Sequence, residues 1–291
     1  MTSPRFTPLI AALPSTVPFV AAEAMERTAG RPFRARIGAN ESVFGPSPKA
    51  IAAMQRAAAE EAWLYGDPET HDLKHAIAAR HGVRPENVVV GEGIDGLLGL
   101  TVRLFVDPGT PVVTSLGGYP TFDYHVAGHG GRFVRVPYVG DREDHVGLLD
   151  AAIRETAPLI YLSNPNNPMA SWSTGAEIEP SLARVPEGSL LILDQAYGEF
   201  APDEAFPRVD VDDPRVIRFR TFSKAHGMAG CRVAYGLAAR EIVSAYDKIR
   251  NHFGVNRIAQ AGALASLADE AWLAEDRKST RLNSSHIPLS R

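Results

Sequence analysis

The chain has 291 residues, enough for two domains or for one large α/β domain with appendages. Hydrophobic residues make up 45% and charged residues 22%, so a substantial core can form and a disordered or collagen-like chain is excluded. Thirty basic against thirty-four acidic residues give a net charge of -4 with no concentrated basic run, which argues against nucleic acid as a partner. The most apolar early stretch, Pro8 to Val20, holds Pro14 and Pro18 and is too short to cross a bilayer, so neither a membrane partner nor an export signal is expected. One cysteine, Cys231, offers no internal disulfide and points to a reducing, cytoplasmic location.

Residues 1–34 read as an irregular N-terminal arm, interrupted by Pro4, Pro8, Pro14 and Pro18, with a short helical piece from Val20 to Thr28. A large domain is expected over 35–238. Pro46-Ser47-Pro48 opens an alanine-rich helix from Lys49 to Trp63, ended by Gly66-Asp67-Pro68, and a second helix runs from Glu69 to His81 up to Gly82. His71 and His75 lie four apart on that polar helix and read as solvent-facing, so no metal site is expected. Strands are predicted at Asn87 to Gly91, Pro111 to Ser115, Arg132 to Val136, Leu159 to Ser163, Leu190 to Asp194, Val216 to Arg220 and Val233 to Leu237. Helices at Ile94 to Phe105 and Val146 to Thr156 separate several of them. That is the pattern of an α/β protein with a mostly parallel seven-stranded sheet and flanking helices. Helices at Ala239 to Asn251 and Asn256 to Ala274 supply an interdomain helix and the start of an incomplete small domain over 239–277. From Lys278 to Arg291, serine, arginine, Asn283 and Pro288 replace the helical pattern, and this segment reads as a foreign or disordered tail.

Four segments carry chemistry. Thr221-Phe222-Ser223-Lys224 follows a strand and precedes Gly230 and Arg232; a buried lysine there could lose its proton and form an imine with an aldehyde, although most Ser-Lys pairs have no such role. Asp194 ends another strand and is followed by Gln195-Ala196-Tyr197, at the strand end where open sheets collect ligands. Such an aspartate could keep a pyridinium nitrogen protonated and Tyr197 could donate to a phenolate oxygen. A turn cap and a core aromatic are the plain alternatives. In the loop Ser163 to Pro168, two prolines restrict the backbone around Asn167. Gly91-Glu92-Gly93-Ile94-Asp95-Gly96 joins a strand to a helix and can receive phosphate on backbone donors, without the spacing of a dinucleotide fingerprint or a Walker loop.

Taken in order, these segments resemble the fold-type-I, pyridoxal-phosphate-dependent class I/II aminotransferases, particularly the histidinol-phosphate aminotransferase branch. The resemblance spans residues 36–277. It rests on Asn40-Glu41, Gly45-Pro46-Ser47-Pro48, Tyr65, Gly91 to Asp95, Tyr119, Asn167-Pro168, Asp194-Gln195-Ala196-Tyr197, and Ser223-Lys224 with Arg232. It implies pyridoxal 5'-phosphate as cofactor and transfer of an amino group between an amino acid or amino-alcohol phosphate and a 2-oxo acid, with histidinol phosphate as the substrate of the nearest branch. Lys224 would join the cofactor and move the proton, Asp194 would sustain the pyridinium, and Asn167 and Tyr197 would hold the ring oxygen. Tyr119 would stack on the ring, with Phe122 as the competing register. The backbone of Gly93, Ile94 and Asp95, together with Thr221, Ser223 and Arg232, would receive the phosphate. Tyr65 would reach the cofactor of the partner subunit, implying a homodimer, and Asn40 would contact substrate. A pyridoxal-phosphate lyase or decarboxylase would keep the same lysine and ring partners, and a cofactor-binding domain without turnover is the non-enzyme alternative.

The sequence departs from the family pattern at Gly96, at Gln195, at Met169-Ala170 after Asn167-Pro168, and at His226, whose expected role is local packing or a hydrogen bond to solvent. No arginine aligns with the family's substrate-carboxylate clamp, which the resemblance implies lies in a C-terminal region missing here; Arg277, Arg281 and Arg291 stand where the sequence no longer follows the motif.

Overall fold

The computed structural model describes residues 4–15, 19–36 and 38–275. In the arm, the prolines leave two short helices, α1 (Pro8–Ala12) and α2 (Ala22–Ala29), neither with a buried residue. The Ser47 hydroxyl accepts the Ala50 N–H and Pro48 occupies the first turn, which together start α3 (Pro48–Glu60). This helix stops short of Trp63, whose indole Nε1 instead donates to the Glu60 carbonyl at 3.1 Å and satisfies one of the orphan acceptors at the helix end. Gly82, in the left-handed conformation, closes α4 (His71–His81), on which His71 and His75 are both exposed.

The chain then alternates strand and helix through β1 (Val88–Gly91), α5 (Gly93–Phe105), β2 (Pro111–Ser115), α6 (Pro120–Gly128), β3 (Arg132–Val136), α7 (His145–Glu155), β4 (Leu159–Ser163), α8 (Gly175–Leu182) and β5 (Leu190–Asp194). β6 (Val216–Thr221), β7 (Ala234–Leu237), α9 (Arg240–Asp247) and α10 (Arg257–Leu267) follow. The seven strands form one sheet in the order β1-β7-β6-β5-β4-β2-β3. Neighbours from β6 to β3 run parallel, and β7 lies antiparallel between β1 and β6. The predicted seven-stranded, mostly parallel sheet is therefore present.

Successive strand residues point to opposite faces, so β4 and β5 feed two cores. Leu159, Tyr161, Leu190 and Ile192 pack with Leu97, Leu98, Val102 and Phe122 from α5 and α6. Ile160, Leu162, Leu191 and Leu193 pack with Leu148, Leu149 and Ile178 from α7 and α8. A third cluster joins Leu73 and Ile77 of α4 and Ala259 and Ala263 of α10 to Tyr235 and Leu237 of β7. At the edge, β3 exposes Arg132 and Arg135, charges that discourage pairing with another chain.

Besides α1, two helices fall outside the elements read from the sequence. α6 starts with Pro120 and buries Phe122 and Val126; α8 is opened by a reciprocal Thr174–Glu177 capping box but carries Pro180 inside, which disguises it. The single helix expected from Asn256 to Ala274 is broken instead. α10 ends at Leu267, Asp269 pairs with Lys49 Nζ at 3.0 Å in the gap, and residues 270–275 are helical again. The tail expected over 278–291, with Arg277, Arg281 and Arg291, lies outside the described residues. Among the described residues no helix is long and apolar enough to cross a membrane.

Candidate active site

Sheet register gathers distant segments at one edge. Gly91 at the end of β1 pairs with Ala234, which on its other side pairs with Thr221 at the end of β6. Asp194, ending β5, sits between Ser163 of β4 and Phe219 of β6. Four strand ends, with Arg232 just before β7, therefore converge at the carboxyl edge of the parallel strands.

Asp194 is 4% exposed. Its Oδ2 accepts the Tyr161 hydroxyl at 2.8 Å and its Oδ1 accepts the Ala196 N–H at 2.9 Å, both neutral donors. Burial pushes its carboxyl up to about 6, against the pull of those two hydrogen bonds and of the Lys224 charge. Lys224 Nζ donates to the Ala39 carbonyl at 2.8 Å and lies 5.5 Å from the centre of the Tyr197 ring. Burial lowers its ammonium below the ordinary lysine value, opposed by the Glu41 charge. Asn40 Nδ2 donates to the Tyr197 hydroxyl at 2.9 Å, so the loop before α3 closes over the same place.

Gly93 opens α5 with φ +78°, a conformation that favours glycine, and a Cβ built there would run into the Arg232 guanidinium. Arg232 Nη1 donates to the Ser223 hydroxyl at 3.3 Å and to the Ala229 carbonyl at 3.0 Å. Thr221 Oγ1 accepts the Ser223 N–H at 3.0 Å, locking the turn between β6 and Lys224. The arrangement leaves the first-turn N–H groups of α5, the Ser223 and Thr221 hydroxyls and one guanidinium around a common locus, a donor set suited to a phosphate. Asp95, in the first turn of α5, is bound by His125 Nε2 of α6 at 3.0 Å, which ties the helix behind Tyr119 to this turn.

Of the residues singled out from sequence, Lys224, Asp194, Tyr197, Asn40, Thr221, Ser223, Arg232 and Gly93 thus share this edge. Tyr119 caps α6 and feels the charges of Asp95, Asp194 and Arg232, while burial raises its hydroxyl above the ordinary value. Phe122 is wholly buried and stacks on Tyr161 with ring centroids 4.6 Å apart, so the competing register loses its candidate to the core. Ile94 is buried at the start of α5, and Asn167 is half-buried in the loop after β4. Tyr65 lies 77% exposed against Phe253, 4.7 Å between ring centres.

The departures also find physical places. Gln195 Oε1 accepts Arg220 Nε at 3.1 Å, and the same guanidinium pairs with the buried Glu199, bracing the turn that carries Tyr197. His226 is buried with Nδ1 2.7 Å from Ser266 Oγ, which favours the packing alternative over a hydrogen bond to solvent. Ala170 adopts φ +56°, a left-handed conformation that a glycine would enter without strain.

The family model described as aminotransferase class I and II matches residues 36–287. The chain belongs to this family. A histidinol-phosphate aminotransferase of Anaeromyxobacter sp. (strain Fw109-5) is 38% identical to this aminotransferase over 277 residues, covering 94% of the present chain and 76% of the relative. One of Moorella thermoacetica is 34% identical over 281 residues, covering 95% and 72%. Among solved structures, the histidinol-phosphate aminotransferase from Sinorhizobium meliloti in complex with pyridoxal-5'-phosphate superposes with a TM-score of 0.91 at 55% identity, over 95% of this chain and 74% of that one. Aspartate aminotransferase from Thermus thermophilus, at 23% identity and a TM-score of 0.79, shares the fold. The aminotransferase described here spans about three quarters of the length of these relatives.

Sequence reasoning missed two buried groups of this aminotransferase. Tyr161 was read only as part of an apolar strand, although a tyrosine among aliphatic residues needs a partner for its hydroxyl, a usable signal. Glu143 gave none: it precedes α7 and is 6% exposed, with Oε2 accepting the Ser163 N–H at 2.7 Å. The Ser115 and Asn166 side chains also act on this carboxyl and lower it, by less than burial raises it. Burial pushes the Glu143 carboxyl up to about 7.

Proposed function

We propose that this aminotransferase uses pyridoxal 5'-phosphate to move an amino group between histidinol phosphate or imidazole-acetol phosphate and glutamate or 2-oxoglutarate. The observation that carries the reading is a buried carboxylate, Asp194, with neutral hydrogen-bond donors and a lysine of lowered pKa at the same sheet edge. That donor set fits the cofactor: Asp194 lacks a cationic hydrogen-bond partner among the described residues, and the Gly93 turn leaves the space a Cβ would fill beside Arg232. The names of the relatives at 34 to 55% identity support histidinol phosphate as the substrate.

Pyridoxal phosphate, when bound, supplies an aldehyde that takes up the substrate amine and a ring that accepts the electron pair left by the α-proton. Lys224 would hold it covalently and, once freed, carry a proton from the substrate α-carbon at Nζ; a lowered pKa keeps a larger share of that amine unprotonated. Asp194 would hold a proton on the ring nitrogen. Tyr197, oriented by Asn40, and Asn167 would bind the ring oxygen, and Tyr119 would cover one face and exclude water. Gly93, Ile94 and Asp95 through their backbone, with Thr221, Ser223 and Arg232, would bind the phosphate. The exposed Tyr65 would serve the site of a second subunit in a homodimer, and the lone cysteine suits a cytoplasmic enzyme.

The test is borohydride trapping of the purified chain with pyridoxal phosphate, followed by peptide mass analysis, with Lys224→Ala as control. A reduced adduct on Lys224, absent from the variant, is the expected result; no wild-type adduct, or the same adduct in the variant, overturns the reading. Product analysis with histidinol phosphate and 2-oxoglutarate then separates transamination from a lyase or decarboxylase, since carbon dioxide without a new keto product contradicts amino transfer.

A further inference from the structure

The reading above counts the Tyr161 hydroxyl only as one of two neutral donors to Asp194 and gives Tyr161 no duty of its own. Tyr161 stands opposite Ile192 in the β4–β5 register, so Asp194, two residues on, is its diagonal neighbour on the same sheet face. The tyrosine is 1% exposed, and its ring lies nearly parallel to Phe122, 17° between planes. That stacking from α6 and the strand backbone leave the hydroxyl one direction, toward Oδ2 at 2.8 Å. We propose that Tyr161 is a positioning residue that keeps the Asp194 carboxylate ionised and aimed at the ring nitrogen of the cofactor.

The chemistry is consistent on both sides of the bond. Tyr161 remains a donor, because burial and the neighbouring Asp194 charge hold its own proton well above the ordinary phenol range. A carboxylate offers about four lone-pair sites, so the Tyr161 hydroxyl and the Ala196 N–H leave room for a third donor. The other groups acting on Asp194 do not replace this bond. Lys224 attracts it across the site, Glu143 acts on it from the segment before α7, and Tyr119 and Tyr197 approach from α6 and the turn after β5. Without the hydroxyl, a buried carboxylate would retain one short-range donor, and the protonated form, which cannot hold a pyridinium, would extend to higher pH.

The purpose of the bond rests on the pyridoxal-phosphate reading; the bond itself is testable without cofactor. The full chain is labelled with carboxyl-13C aspartate and titrated by NMR, with Asp194→Asn to assign the resonance. Tyr161→Phe, which keeps the ring and its stacking, is expected to raise the Asp194 midpoint by about one pH unit, roughly a tenfold gain in proton affinity. Phe122→Leu, which loses the stacking but keeps the hydroxyl, should leave the midpoint within a few tenths of wild type; thermal unfolding of both variants reports whether they fold. An unchanged midpoint in Tyr161→Phe, or an equal rise in Phe122→Leu, overturns the proposal. In the loaded protein, Tyr161→Phe should weaken pyridoxal-phosphate affinity about tenfold and move the pH dependence of its visible band. Equal cofactor affinity and an equal spectrum in variant and wild type would also overturn it. If the midpoint rises as expected while wild type takes up no cofactor, the proposed function fails and the support of the carboxylate by Tyr161 stands.

Discussion

Asp194 and its surroundings are buried, with a carboxyl whose proton is set by loss of water and by two neutral donors. At the other end, Gly93 to Asp95 offer backbone N–H groups and Arg232 offers a guanidinium, neither of which needs a buried neighbour to keep its charge or dipole. One end of the site depends on tertiary burial for its protonation state, and the other on local backbone geometry. Substitutions at the two ends should therefore fail in different ways.

The largest expected effect is at the buried end. Asp194→Asn should lower kcat/KM for amino transfer about a thousandfold, because an amide cannot sustain a positive ring nitrogen, while the Lys224 adduct still forms under borohydride. Stopped-flow absorbance with histidinol phosphate measures it, and a loss under tenfold would remove the contrast between the two ends.

Glu143 sharpens the same contrast through stability. Burial raises its carboxyl from 4.5 to about 7, so between those values the folded protein keeps a proton that the unfolded chain has released, and stability falls as pH rises through that window. Glu143→Gln retains an acceptor for the Ser163 N–H and has no charge to bury. It should unfold about 3 kcal/mol less readily than wild type at pH 8 and show little difference near pH 4, by denaturant titration at each pH. A difference that does not grow with pH would mean that water reaches the carboxylate.

The smallest effect belongs to the open end. Arg232→Ala should weaken pyridoxal-phosphate binding about 10- to 100-fold, the loss of one charge-assisted contact, and, because the Arg232 charge lowers the Lys224 amine, move the pH dependence of the bound cofactor's spectrum upward by less than Tyr161→Phe moves it. A larger movement would mean that the two ends are not electrostatically separable.

Much of this was legible before the structure. Lys224 and Gly93 follow strands and Asp194 ends one, the place where open sheets collect ligands, but it was the family resemblance that gave them roles; Gly93 also meets a backbone demand that few other residues satisfy. The helices α6 and α8 were hidden by Pro120 and Pro180, and the break between α10 and residues 270–275 by an uninterrupted apolar pattern around Asp269. The resemblance favoured Tyr119 over Phe122 for the ring; packing put Phe122 against Tyr161 in the core and Tyr119 at the head of α6.

Composition and strand periodicity sufficed for a mostly parallel α/β sheet, because backbone preferences and alternation of polar and apolar groups act over a few residues, and the family resemblance of the motifs nominated the residues at its carboxyl edge. The protonation of Asp194 and Glu143, the duty of Tyr161 and the enclosure of Lys224 were decided only by the assembled sheet and its helices. Desolvation and a hydrogen bond between β4 and β5 depend on what lies nearby in space, and strand pairing and helix packing set those neighbours.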